Sequence, residues 1–195
     1  MQMNNEILSD YCVNKETLAL LAAYAPDYDT IVIEVDRELK IRKTPLQLIK
    51  QACLSGGASY SGRRDAVRYL TGAKNKVPIP VYPDQKIYAF PTKSPKQYEC
   101  CWIFYDHIHT IKQHRFQDQS IGTMIIFKNG RHLPLSVSFY SIEKQIHRTS
   151  QCMFRFSQTL FDFVKSYYTL ETPYYPSFLP RKENYHETRE HHTIR

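Results

Sequence analysis

TIVIEVDRELKIRKTPLQLIKQAC, residues 30–53, carries two periodicities back to back. In residues 30–36 (TIVIEVD), and again in 38–42 (ELKIR), branched apolar residues alternate with others, the period-two signature of strands. Asp36-Arg37 between them is short enough for a tight connection, so a strand pair is predicted. Pro45 then opens residues 46–53 (LQLIKQAC), where Leu46, Ile49 and Cys53 recur at i, i+3, i+7 while Gln47 and Lys50 fall off the stripe. Thr44 is placed to cap that segment, and a proline at the first helical position loses no hydrogen bond there, so the spacing predicts a short helix. Two strands feeding a helix point to the α+β class.

Downstream, residues 54–62 (LSGGASYSG) hold three of the chain's six glycines and read as a loop able to turn sharply or approach a ligand closely. Residues 63–70 (RRDAVRYL) predict a helix with Arg64 and Arg68 on one face and Val67 and Leu70 on another. Strands are expected at residues 77–81, 86–90, 101–105, 107–114, 122–127 and 132–139. Lys128-Asn129-Gly130-Arg131 is a hairpin turn, because Asn-Gly takes the positive φ that a type I′ turn requires. Helical spacing returns over residues 141–164. The predicted fold is therefore a mainly antiparallel sheet with a short helix before a basic Gly/Ser loop and a long C-terminal helix. Residues 1–170 are expected to form one α+β domain, and residues 171–195, rich in Pro, Tyr, His and charge, a mobile tail.

Of 195 residues, 42% are hydrophobic and 23% charged, which suits a packed core and excludes a disordered or collagen-like chain. No apolar run reaches the roughly 18 residues a membrane-spanning helix needs; residues 17–23 (TLALLAA) fall well short. The acidic N-terminal stretch lacks a basic leader pattern, so a cytoplasmic location, with no membrane partner, is expected. Five scattered cysteines with no Cys-x-x-Cys read as reduced thiols, buried or idle.

The net charge of +7 is mild, but it is unevenly placed. Residues 1–36 carry −6, whereas residues 40–76 hold nine bases against the single acid Asp65, a net of +8. Such a concentration fits either a polyanion-binding face or a solvated surface balanced by the acidic N-terminal part.

Other sites are weak. The glycines at 56 and 57 follow a helix and lack the Lys-[Ser/Thr] of a phosphate loop. His107-x-His109 on a strand would share a face, but His114 and the cysteines do not complete a zinc spacing, so no metal is expected. Asp84-x-Lys86 resembles the end of a metal-nuclease signature, yet Pro83-Asp84 reads more simply as a turn between strands. No nucleophile has an adjacent base, so neither catalytic residues nor a cofactor is expected. Tyr69, Tyr88, Phe90, Trp102, Phe104 and Phe127 lie in periodic segments and are expected in the core, whereas Tyr60 suits a ligand surface.

Residues 44–79 resemble the ComK family of competence transcription factors of Gram-positive bacteria. The resemblance rests on Pro45-Leu46-Gln47 with Cys53, then Gly57-Ala58-Ser59-Tyr60-Ser61-Gly62-Arg63-Arg64. It continues through residues 87–92 (IYAFPT), Cys101-Trp102-Ile103, the 127–131 turn, and Ser141 to Arg148-Thr149, spanning about residues 30–155. It implies a sequence-specific activator of DNA-uptake genes that binds A/T-rich boxes of double-stranded DNA, largely through the minor groove. It also implies action as a homodimer or dimer of dimers in the nucleoid, with levels limited by an adaptor that delivers the protein to a Clp protease. The family's adaptor-binding segment has its nearest counterpart at Ser177-Phe178-Leu179-Pro180-Arg181-Lys182, which departs from the family pattern. Because the +8 segment coincides with the matching loop, Arg63, Arg64 and Arg68 are expected to contact DNA. Lys43, Lys50, Lys74 and Lys76 would reach phosphates, and Ser59, Tyr60 and Ser61 would shape the contact. The alternatives are a metal-dependent nuclease or other nucleic-acid enzyme, and a regulator whose basic patch meets an acidic protein.

Overall fold

The structure, a computed structural model, describes residues 6–170, with side chains as far as residue 157. Ten strands form two sheets. The larger contains β1 (Ile7–Leu8), β2 (Thr17–Ala22), β3 (Thr30–Glu34), β4 (Glu38–Ile41), β5 (Ile79–Tyr82), β6 (Ile87–Pro91) and β7 (Trp102–Phe104) in the order β1-β4-β3-β2-β7-β6-β5. The smaller contains β8 (Ile108–Arg115), β9 (Ile121–Phe127) and β10 (His132–Leu135) in the order β10-β9-β8. Every pairing is antiparallel except the short β1–β4 contact. Among the described residues there are three α-helices: α1 (Pro45–Ser55), α2 (Tyr60–Thr71) and α3 (Phe139–Leu170). The class is α+β as the sequence implies, with two sheets where one was expected. The 171–195 tail and the 177–182 segment lie outside the described residues.

Period-two alternation sorts the large sheet's residues between two cores. On β7, Trp102 and Phe104 join Leu48, Ile49 and Ala52 of α1, while Ile103 joins Ile125 and Phe127 of the small sheet and Ile142 of α3. β3 and β6 divide likewise, Val32 and Ala89 to the first core, Ile33 and Phe90 to the second. A strand buried on both faces has no reason to alternate polarity. That is why TLALLA of β2, the central strand joining β3 to β7, shows no strand signature. A third, smaller cluster, Val67, Ala73, Val77, Tyr88 and Cys152, packs α2 against α3.

Both early helices are capped, one more visibly than the other. Thr44 Oγ1 accepts the Gln47 amide and the Gln47 side chain accepts the Thr44 amide, a closed capping box on α1. α2 starts three residues before the sequence reading: Ser59 Oγ accepts the Gly62 N–H at 3.0 Å, so Tyr60, Ser61 and Gly62 form the first turn rather than the end of a loop. Only Val67 of α2 is buried. Tyr69 lies on the opposite face and is 90% exposed, correcting its assignment to the core. The other five aromatics placed in the core, Tyr88, Phe90, Trp102, Phe104 and Phe127, are buried there.

α3 begins at Phe139, before the expected Ser141, because Ser138 already accepts the amides of Ser141 and Ile142. The strand expected over residues 132–139 ends at Leu135, followed by a bend at residues 136–137 before the helix begins. Cys53, Cys100 and Cys152 are buried, which pushes their thiols up to about 11, 11 and 12. Among the described residues no helix is long and apolar enough to cross a membrane.

Candidate nucleic-acid interface

Four segments surround a cleft of about 600 Å³. α1 contributes Leu46, Lys50 and Leu54, spaced i, i+4, i+8 beside its buried stripe. α2 contributes Ser59, Tyr60, Ser61, Arg64 and Arg68, the last three spaced to share one helical face. The chain leaving α2 adds Lys74, Asn75, Lys76 and Val77, and a turn after β6 adds Ser94, Pro95 and Lys96. Lys50, Arg64, Arg68, Lys74, Lys76 and Lys96 thus face a single space, and among the described residues no acid lines it.

Among the described residues, Lys50, Arg68, Lys74 and Lys96 have no acidic partner within 4.0 Å. Arg64 has one weak neighbour, Asp65, at 3.3 Å across exposed surface. Lys76 donates from Nζ to the Thr92 carbonyl at 3.1 Å. The floor is partly apolar: Tyr60 packs edge-to-face on buried Trp102, ring centroids 6.2 Å apart, with Leu46 and Val77 nearby in the lining. Tyr60 therefore does two things, anchoring the start of α2 in the core and presenting its other edge to the cleft. Six like charges around one concave space repel each other, and a bound polyanion would relieve that repulsion.

Eight of the ten residues singled out from the sequence line this cleft: Lys50, Ser59, Tyr60, Ser61, Arg64, Arg68, Lys74 and Lys76. Two do not. Lys43 is held by Asp10 at 2.8 Å and by Gln51 Oε1 at 2.7 Å. Arg63 turns inward, donating from Nη2 to the Gly56 carbonyl at 2.6 Å with its Nε buried. The helical spacing contained that information, since Arg63 lies i−4 from buried Val67 and so belongs to the packed stripe. Lys96 was missed, and no local signal could have found it: it follows an ordinary Ser-Pro turn and reaches the cleft only because β6 and β7 are paired.

The minor candidates separate. His107 sits in a 3₁₀ turn before β8, and His109 and His114 lie within β8. Burial lowers the His107 pKa. Among the described residues no group of three or more His, Cys, Asp or Glu is placed to hold a metal ion. Pro83–Gln85 is a 3₁₀ turn between β5 and β6, the turn reading of Asp84 and Lys86, and neither residue lines the basic cleft.

Residues 8–160 match the family model described as ComK protein. A curated relative named competence transcription factor, from Bacillus subtilis (strain 168), is 32% identical over 156 residues, covering 80% of this chain and 79% of the relative. No solved structure matches the chain.

Proposed function

The chain belongs to the ComK family, and from that premise we propose that it is a competence transcription factor, not an enzyme, that seats duplex DNA against the basic cleft. The observation that carries this reading is the convergence of six bases from four segments on a space that no acid lines among the described residues. Lys50, Lys74, Lys76 and Lys96 reach phosphates. Arg64 and Arg68 enter the minor groove of A/T-rich boxes, where a narrow groove deepens the negative potential that attracts guanidinium groups. Ser59, Tyr60 and Ser61 shape the contact at the start of α2. The protein works in the cytoplasm on the nucleoid, as a homodimer or dimer of dimers matched to paired boxes, and is delivered to a Clp protease by an adaptor.

The test is an electrophoretic mobility series comparing an A/T-box duplex with a scrambled duplex at several salt concentrations. The protein should prefer the A/T-box, and Arg64→Ala/Arg68→Ala should lose roughly tenfold in affinity for each arginine removed near 0.1 M salt. Its salt slope should flatten by about one unit for each guanidinium that no longer displaces counterions from the groove. A double variant that binds with unchanged affinity and slope sinks the cleft assignment. Plasmid cleavage in Mg²⁺ or Mn²⁺ that depends on Asp84 or Lys86 sinks the activator reading.

A further inference from the structure

The cleft has a rim that does not hold itself. Residues 74–76 cross open surface between α2 and β5, and Lys76 adopts φ +48°, a left-handed conformation that a lysine does not favour. Two of these three residues are cations facing other cations, and among the described residues no acid lines the space to draw them in. The restraint comes from behind, out of α3. Gln145, 1% exposed, donates from Nε2 to the Lys76 carbonyl at 2.7 Å and to the Pro91 carbonyl at 3.0 Å. Arg148, one turn on, donates from Nη1 to the Asn75 carbonyl at 3.0 Å and to Gln145 Oε1 at 3.2 Å, fixing the amide's orientation. Lys76 in turn bridges forward through its Nζ to the Thr92 carbonyl, at the base of the turn that carries Lys96. One buried amide and one guanidinium thus tie together the two rim segments that present Lys74, Lys76 and Lys96.

We infer that Gln145 and Arg148 are positioning residues for polyanion binding: they couple the seating of α3 to the geometry of the cleft without lining it. This rests on the reading that the cleft takes the DNA backbone. Coupling of this kind is reciprocal. Loosening the strut should weaken DNA binding, and DNA bound in the cleft should tighten α3, so anything that shifts this helix would change affinity for DNA.

Amide hydrogen exchange on the full chain, with and without an A/T-box duplex, tests both directions. Arg148→Ala should speed exchange at residues 74–77 and 92–96, weaken duplex binding by about tenfold and flatten the salt slope by at least about one unit. Arg148→Lys, which keeps a donor, should recover part of both effects. Gln145→Glu, which keeps the shape but loses both donated bonds, should behave like Arg148→Ala. In the native chain, bound duplex should slow exchange at residues 142–149. A purely structural pair would lower the unfolding temperature while the folded fraction bound DNA with native affinity and slope, and that result overturns the proposal. So does unchanged exchange at the rim in both variants. Arg64→Ala is the control: if it too binds as the native chain does, the cleft reading fails and takes the role in DNA binding with it. Rim exchange would still report separately whether the strut exists.

Discussion

The molecule has two concentrations of charge, and they are built on opposite plans. At the 34–38 turn and its surroundings, each charge named has a partner. Buried Glu34 accepts from the Tyr11 hydroxyl at 2.7 Å, from Asn14 Nδ2 at 3.2 Å and from Arg37. Arg131, from the β9–β10 turn, donates to the Glu34 carbonyl at 2.9 Å and pairs with Glu38. Asn129 of the same turn donates to the Val35 carbonyl at 2.8 Å. The effect is a rivet between the large and small sheets. In the basic cleft, lysines and arginines face one another with no acid among the described lining residues, and Arg64 has only the exposed Asp65 beside it. A charge answered inside the fold contributes to the fold; a charge left unanswered on a concave surface is available to something else. Burying a charge costs too much to leave it unpaired, whereas a half-exposed lysine is hydrated and can wait.

The largest test of that contrast is Glu34→Ala. It removes the acceptor for Tyr11, Asn14 and Arg37 at once and should cost about 3 kcal/mol of stability, read by chemical denaturation. Binding of DNA by the folded fraction should keep its native salt slope. The pH dependence follows from the same geometry. Burial opposes ionisation of Glu34, but Arg37, Tyr11 and Asn14 outweigh it and hold the carboxyl below its ordinary 4.5. A folded pKa below the unfolded one stabilises the fold above about pH 4.5 and loses that contribution as pH falls through the folded value. Glu34→Gln should therefore unfold with a shallower acid limb than the native chain. A limb of unchanged steepness would show that the rivet is not what acid breaks.

The next test uses two adjacent arginines. Arg63 and Arg64 are about 100° apart on α2, enough to send one to the Gly56 carbonyl and the other to the cleft. Arg63→Ala should cost on the order of 2 kcal/mol through a broken charge-assisted bond and poorer packing, with little change in salt slope. Arg64→Ala should do the reverse. If Arg63→Ala flattens the slope as much as Arg64→Ala does, the inward orientation is not what limits its contact with DNA.

How much of this was legible depends on whether the signal was local. The α1 helix was legible from Thr44, Pro45 and the spacing of Leu46, Ile49 and Cys53, because cap, first turn and stripe lie in one short stretch, whereas the part of Gln47 in its capping box was not read. The basic cluster was legible because most of the cleft's bases lie between residues 50 and 76. The start of α2 was not, since Ser-Tyr-Ser-Gly suits a turn as well as a cap, and packing of Tyr60 on Trp102 decides between them. β2 was not, since burial on both faces erases alternation. Lys96 and the Gln145–Arg148 strut were not, because each depends on which distant segments the sheets bring side by side. Local chemistry can be read from sequence; which partner a charge receives is a property of the assembled fold.

Lys43 sharpens that last point with the smallest expected effect. By sequence it belongs with Lys50: both sit in the +8 segment, seven positions apart. In the fold it faces Asp10, whose carboxyl the Lys43 ammonium holds below its usual range, and Gln51 completes the contact. A lysine already neutralised cannot release a counterion from DNA without first breaking its own pair, so it should add almost nothing to the salt slope. Lys43→Ala should lower stability by no more than about 1 kcal/mol, as expected of a half-exposed pair, and change duplex affinity less than about twofold. Lys50→Ala, at equal change in net charge, should reduce the slope by about one unit. Equal slopes for the two variants would mean that DNA responds to the protein's total charge and not to where that charge is left unpaired.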